Sequence, residues 1–152
     1  MAVNELLSRS AEYDYWANRT AFDAIRTAGN PDKAVALYGH VIYAQLIWQA
    51  RVNGNDTAGI EVFPEINMEE FQQLTRIVHS RWIDWLSIAD NAELDAPITY
   101  ITTSGKEFTT PAVDILNHVF LHSAYHRGQI ALILRNCDAQ PPVTDFIAFA
   151  RL

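Results

Sequence analysis

Five histidines stand in this sequence, and three of them, His118, His122 and His126, recur at intervals of four residues. On a helix that interval places all three in one stripe, which Ile115, Gln129 and Ile133 extend. The segment is apolar enough that it must pack against other helices, so the imidazoles are expected to face inward. A buried polar ring is costly unless something satisfies it. A metal ion can do so, since neutral imidazole is the commonest transition-metal ligand. Two histidines at i and i+4 can grip one ion, as in the helical zinc motif H-E-x-x-H. All three cannot: the first and third are about 12 Å apart along a helix axis, whereas metal–nitrogen bonds are about 2 Å. One adjacent pair binds at most, and a further ligand must come from another helix. His40 is the obvious donor, because it lies on another strongly apolar segment. His79, in Val78-His79-Ser80-Arg81, reads as a surface residue. Hydrogen-bonded core histidines without a metal are the alternative, and spacing alone leaves both readings open.

Elements must exist to position these rings. A chain of 152 residues is about one domain. Its 49% apolar content suffices for a proper core, so residues 1–152 are expected to form a single unit. One cysteine, Cys137, excludes a disulfide within the chain. The opening MAVNELLSRSAEYDYW lacks the unbroken apolar run of a secretory start, which makes a reducing cytoplasm the expected location. Apolar stretches are interrupted by His, Gln, Arg or Asp before a bilayer could be spanned, so no membrane association is expected. Eleven Lys and Arg against 18 Asp and Glu give a formal charge of −7. The basic residues are scattered as well as outnumbered, which argues against nucleic acid as a partner.

The helical period is clearest from about Asn4 to Thr27, where Leu6, Tyr13, Ala17, Ala21 and Ala24 recur. Gly29-Asn30-Pro31 then punctuates the chain. Asn30 is expected to cap a second helix, with Pro31 at its first position, running to about Val52. Asn53-Gly54-Asn55 ends it, and a loop follows from Asp56 to Ile66. Asn67 and Glu70 have the spacing of a capping box. They open a third helix to about Ala89, with Phe71, Leu74, Val78, Trp85 and Ile88 as its buried face. Ile98 to Thr102 alternates as a strand does, Ser104-Gly105 is a turn, and Phe108 to Thr110 can pair back. Thr110-Pro111 reads as a cap and first-turn proline for a fourth long helix reaching about Asn136. Thr144 to Arg151 reads as a short closing helix. The expected fold is all-α: an up-and-down type four-helix bundle, with a β-hairpin before the last long helix. The second and fourth long helices, apolar nearly all round, should be its most buried pair.

The segment FTTPAVDILNHVFLHSAYHRGQIALIL resembles the helix that defines the DinB-like superfamily, through its H-x-x-x-H-R-G-Q core. YDYWANR (Tyr13 to Arg19) is similar to that superfamily's first-helix motif. GHVIYAQLIWQARV (Gly39 to Val52) resembles its second-helix segment, in which a histidine precedes a tryptophan by two turns. ITYITTSGKEFTTP matches its hairpin. The resemblance spans nearly the whole chain and implies a metal-binding four-helix bundle with three histidine ligands, carried over to His40, His122 and His126. By the same resemblance His118 is not a ligand but can hydrogen-bond near the site, Tyr13, Trp16 and Asn18 can line the pocket mouth, with plain core packing as the other reading of the Tyr and the Trp, and two copies pair as a homodimer. The connection between the first two helices is short for the superfamily.

Three neutral histidines without a carboxylate leave a doubly charged site with open positions, the arrangement of catalytic rather than structural zinc. Imidazoles suit zinc or nickel, and also iron or copper. Cys137 lies about three turns beyond His126 and is not expected to complete the set. An open site of this kind activates water for hydrolysis or a thiolate for transfer. The resemblance implies thiol transfer or isomerisation, because the superfamily contains transferases that use low-molecular-weight thiols; the substrate would be a small molecule. No Glu or Asp stands one turn from the histidines, which weakens hydrolysis, since metal-bound water usually needs a proton acceptor. Tyr43, three positions after His40, can orient water or substrate, or be a core aromatic with a wet tip. Gln129 continues the histidine stripe as a supporting residue. Arg127 reads as an ion-pairing residue, and Gly128, unfavourable in a helix by about 1 kcal/mol, implies a closely packed neighbour. A non-enzymatic, metal-binding stress-response protein is the other class considered.

Overall fold

The computed structural model describes residues 2–65 and 67–152. Ile66, the last residue of the expected loop, lies outside them. The chain runs α1 (Val3–Thr27), α2 (Asp32–Val52), α3 (Met68–Ile88), α4 (Asn91–Asp95), β1 (Pro97–Ile101), β2 (Glu107–Pro111), α5 (Ala112–Asn136) and α6 (Phe146–Phe149). It is a mostly helical fold with a two-stranded antiparallel hairpin before a long helix and a short helix at the C-terminal end.

Local chemistry explains most boundaries. Asn67 accepts from the Glu70 amide at 2.9 Å while Glu70 accepts from the Asn67 amide at 3.2 Å, a reciprocal box that starts α3. Asp90 and Glu93 repeat that box to start α4, a one-turn helix that periodicity is too short to reveal. Two expected caps are not caps. Asn30 has φ +57 and its amide donates back to the Ile25 carbonyl, so it closes α1 in the left-handed conformation instead of opening α2. Thr110 pairs in β2, its hydroxyl 3.3 Å from that of Tyr100, and α5 follows directly from the strand through Pro111.

The four long helices pack in the order α1, α3, α2, α5 around the bundle, with α1 and α2 across one diagonal despite their four-residue connection. α2 and α5 share the most extensive contact, as their all-round apolarity requires. On α3 the buried face is Phe71, Thr75, Val78, Trp82 and Leu86; Leu74 and Trp85 pack at its margin, and Ile88, expected inside, is 77% exposed. Glycine has a packing role at Gly39, where an added Cβ would come within 2.5 Å of the Phe71 ring. At Gly128 the expected close neighbour is missing: among the described residues nothing lies within 4 Å of the Cβ position.

One polar network lies inside this core. Arg127 on α5 pairs with Asp14 on α1 and donates to Asn18 Oδ1 at 2.8 Å. Gln45 on α2 donates to Asp14 at 2.7 Å and to Ser123 Oγ at 3.1 Å, and accepts from the Trp82 indole of α3 at 3.0 Å. All four long helices are thereby joined. Burial would lower the Arg127 pKa, but the adjacent Asp14 outweighs it and raises the guanidinium further above its usual range.

Candidate metal centre

α2 and α5, the most extensively packed pair, bring three imidazoles together. His40 comes from the middle of α2, and His122 and His126 from successive turns of α5. His122 Nε2 lies 3.3 Å from His40 Nε2 and 3.1 Å from His126 Nε2. Two of the rings are oriented from behind. His40 Nδ1 donates to the Val62 carbonyl at 3.0 Å, and His126 Nδ1 to Gln129 Oε1 at 2.6 Å. In their neutral forms both therefore turn an Nε2 lone pair toward His122.

This arrangement fits a cation. A proton on His122 Nε2 can serve one of the two short contacts, and the other is then lone pair against lone pair. An ion placed among the three nitrogens would remove that repulsion. Tetrahedral coordination with bonds near 2 Å separates neighbouring donors by roughly 3.3 Å, close to the two separations observed. The protonation states agree. Burial, then the neighbouring rings of His126, His40 and His118, hold His122 down to about 4. Burial also lowers His40, against the opposing hydrogen bond to Val62. Both rings are neutral donors near pH 7. Among the described residues this trio is the one grouping of His, Cys, Asp or Glu within metal-ligating reach, and it contains no carboxylate.

The cluster is half-buried and opens to a cleft of about 330 Å³ that His40 and His122 line with Trp48, Arg51, Tyr100 and Phe108. Phe63 stacks on His40 with centroids 4.5 Å apart. A separate hollow of about 150 Å³ over Tyr15, Arg19 and Gln72 shares no residue with the histidines.

His118 stands outside the trio, at the exposed end of the stripe, its ring 5.3 Å from Trp48 and 5.5 Å from His122. Gln129 lies directly behind His126. Tyr13, Trp16 and Asn18 do not line the cleft, and for Tyr13 and Trp16 the packing reading is the one found. Tyr13 donates to the Thr144 carbonyl at 2.7 Å and packs on Phe146 and Phe149, Trp16 packs on Phe149, and Asn18 belongs to the buried network. The first-helix motif thus serves the core and the α6 contact. Tyr43 is half-buried against the core and is not among the cleft's lining residues. His79 is not a free surface residue: it stacks on Tyr15 at 4.3 Å and its Nε2 lies 3.5 Å from Glu12. Cys137 is exposed at the end of α5, away from the trio. Sequence reasoning missed Val62, Phe63 and Arg51. The first two sit in a loop without periodicity, whereas Arg51 had a signal, since it falls eleven residues after His40 on the same face of α2.

Among known proteins, the model of the DinB family matches residues 4–152 of this chain. The chain is also 24% identical over 154 residues to Protein DinB of Bacillus subtilis (strain 168), a match covering 89% of this chain and 88% of that protein.

Proposed function

The chain belongs to the DinB family, and from that premise we propose that His40, His122 and His126 hold one divalent transition ion at which a low-molecular-weight thiol reacts with a small electrophile. The observation that carries this reading is the convergence of three Nε2 atoms beside an open cleft instead of inside a sealed core. Structural zinc is generally closed by four protein ligands, whereas three leave a position for a reactant. Zinc or nickel suits three imidazoles best here, with iron or copper also compatible. When bound, such an ion supplies Lewis acidity that favours the deprotonated form of a coordinated thiol.

The chain's own residues do the positioning. Val62 and Gln129 fix the ring faces of His40 and His126. Phe63 shields His40 from water, and Trp48 and Tyr100 form an aromatic wall. The trio has no carboxylate partner to serve as general base, which favours thiol transfer over hydrolysis. Pairing of two copies is a further part of this reading. It is supported by an exposed stripe on α5 of Leu121, Tyr125 and Leu132, which are 71%, 67% and 55% exposed. Among the described residues, no helix is long and apolar enough to cross a membrane.

Elemental analysis of gently purified protein tests the reading. About one ion per chain is expected, lost in His40→Ala, His122→Ala and His126→Ala but kept in His118→Ala. Metal-loaded protein is then screened with thiols and small electrophiles. Little metal, even after reconstitution with zinc and nickel, would overturn the site. Stoichiometric metal, a large stability loss on chelation and no turnover with any thiol would leave a non-enzymatic metal-binding protein.

A further inference from the structure

The cleft beside the histidines ends in a positive charge that the chain itself leaves unneutralised. His40, Ala44, Ile47, Trp48 and Arg51 follow one another at +4, +7, +8 and +11, a single face of α2. His40 stands at one end of this face and Arg51 at the other, about 16 Å apart along the helix axis. Small and apolar side chains floor the stretch between them.

The Arg51 guanidinium is held in place. Its Cζ lies 4.4 Å from the Trp48 ring centroid and 5.0 Å from that of Tyr100, and Nη2 donates to the Ile101 carbonyl at 3.1 Å. Yet it lacks a counter-ion. Among the described residues the ion pairs are Arg127 with Asp14 and His79 with Glu12, so no carboxylate lies within 4 Å of Arg51. Asp56 and Glu107 line an adjoining hollow together with Arg51 and Tyr100, without reaching that distance. Arg51 Nε is buried without a hydrogen-bond partner, and Nη1 has none among the described residues. Burial pulls the pKa of the group down, against an opposing contribution from Tyr100. Anchoring the hairpin to α2 accounts for the stacking but not for an uncompensated, half-buried cation, which is costly where it stands. Nε is turned inward and Nη2 already donates to Ile101, so Nη1 carries the donors open to a ligand; a guanidinium fixed between aromatic faces with such donors suits a carboxylate.

We propose that this cleft binds a small carboxylic acid with an apolar body, its carboxylate on Arg51 and its other end at the three-histidine centre. The carboxylate contact stands on Arg51 alone, while the placement of the other end rests on the proposed metal reading. The acid therefore names the class to which the thiol or its electrophilic partner belongs. Its apolar body lies along Ala44 and Ile47 under the Trp48 and Tyr100 rings.

The test uses metal-free protein, so that a carboxylate cannot gain affinity by binding an ion. Hexanoate and hexanamide, which differ in charge at similar size, are titrated while amide, Trp48 indole and Arg51 Nε resonances are followed by NMR. Hexanoate is expected to bind at least roughly tenfold more tightly than hexanamide, the factor for one charge-assisted contact. Arg51→Met should abolish the preference, and Arg51→Lys should keep part of it. Equal binding of acid and amide, or a preference that survives Arg51→Met, would overturn the proposal. If Arg51→Met fails to fold, the wild-type preference and the response of Arg51 Nε decide it. A preference found here in a protein that takes up no metal would sink the metal reading and leave the acid site standing.

Discussion

Asp14 and Arg127, 113 residues apart in sequence, form a buried ion pair at the centre of the bundle, and Arg127 directly follows His126. The same turn of α5 thus sends one side chain into the core and the next toward the histidine cluster. The ion pair fixes the rotation of α5 about its axis, and that rotation determines where His122 and His126 point.

Removing one partner should be severe. Asp14→Ala leaves a guanidinium buried without its counter-charge and is expected to cost about 3–5 kcal/mol of stability. Replacing both partners by apolar residues, as in Asp14→Leu with Arg127→Met, should cost clearly less. Urea denaturation of the two variants checks this; equal losses would show that the pair's charge is not what matters.

Gln129 acts through His126. Gln129→Leu removes the acceptor that holds His126 Nδ1–H, and metal affinity should fall roughly 10- to 100-fold with the fold intact. Competition with a chromophoric chelator reads the affinity, and circular dichroism the fold. Unchanged affinity would mean that Gln129 does not orient the ring.

The metal-free protein should lose stability in mild acid. His122 has a folded-state pKa near 4 against a usual 6.5, so the unfolded chain takes up the proton first as pH falls. The stabilising contribution is fully present above about 6.5, declines between 6.5 and 4, and is gone below. His40, also lowered by burial, acts in the same direction. Melting temperatures of chelator-treated protein between those limits should fall with pH, and less steeply in His122→Gln. Identical slopes would count against a neutral His122.

The two helical glycines should respond oppositely to alanine. At Gly39 the new methyl meets the Phe71 ring at 2.5 Å, so Gly39→Ala should destabilise by about 1–3 kcal/mol through overpacking. Gly128 has open space, so Gly128→Ala should stabilise by up to about 1 kcal/mol through helix propensity. Thermal unfolding distinguishes them. A loss at Gly128 would point to a neighbour on that face, such as a second copy.

Much of the fold was legible because its signals are local. The period of α1, the Asn67–Glu70 box, the hairpin turn and the i, i+4 histidines each lie within a few residues, and each predicts its element. The errors have local causes too: Asn30 and Thr110 have cap-forming side chains, but a left-handed exit and a strand pairing claimed them first. The arithmetic of helix rise limited His118, His122 and His126 to one adjacent pair without any coordinates. What the sequence determined by itself, then, was the set of long helices, the acidic net charge and the chemistry its histidines could carry. Only tertiary structure decided which side chains meet: His40 against His122 across 82 residues, Val62 behind His40 from an aperiodic loop, and Arg51 between Trp48 and a hairpin tyrosine. It also drew Tyr13, Trp16 and Asn18 into the core and the α6 contact. The physical reason is that periodicity specifies a helix's faces, whereas the rotation and neighbour of each face are set by packing and by the buried Asp14–Arg127 network.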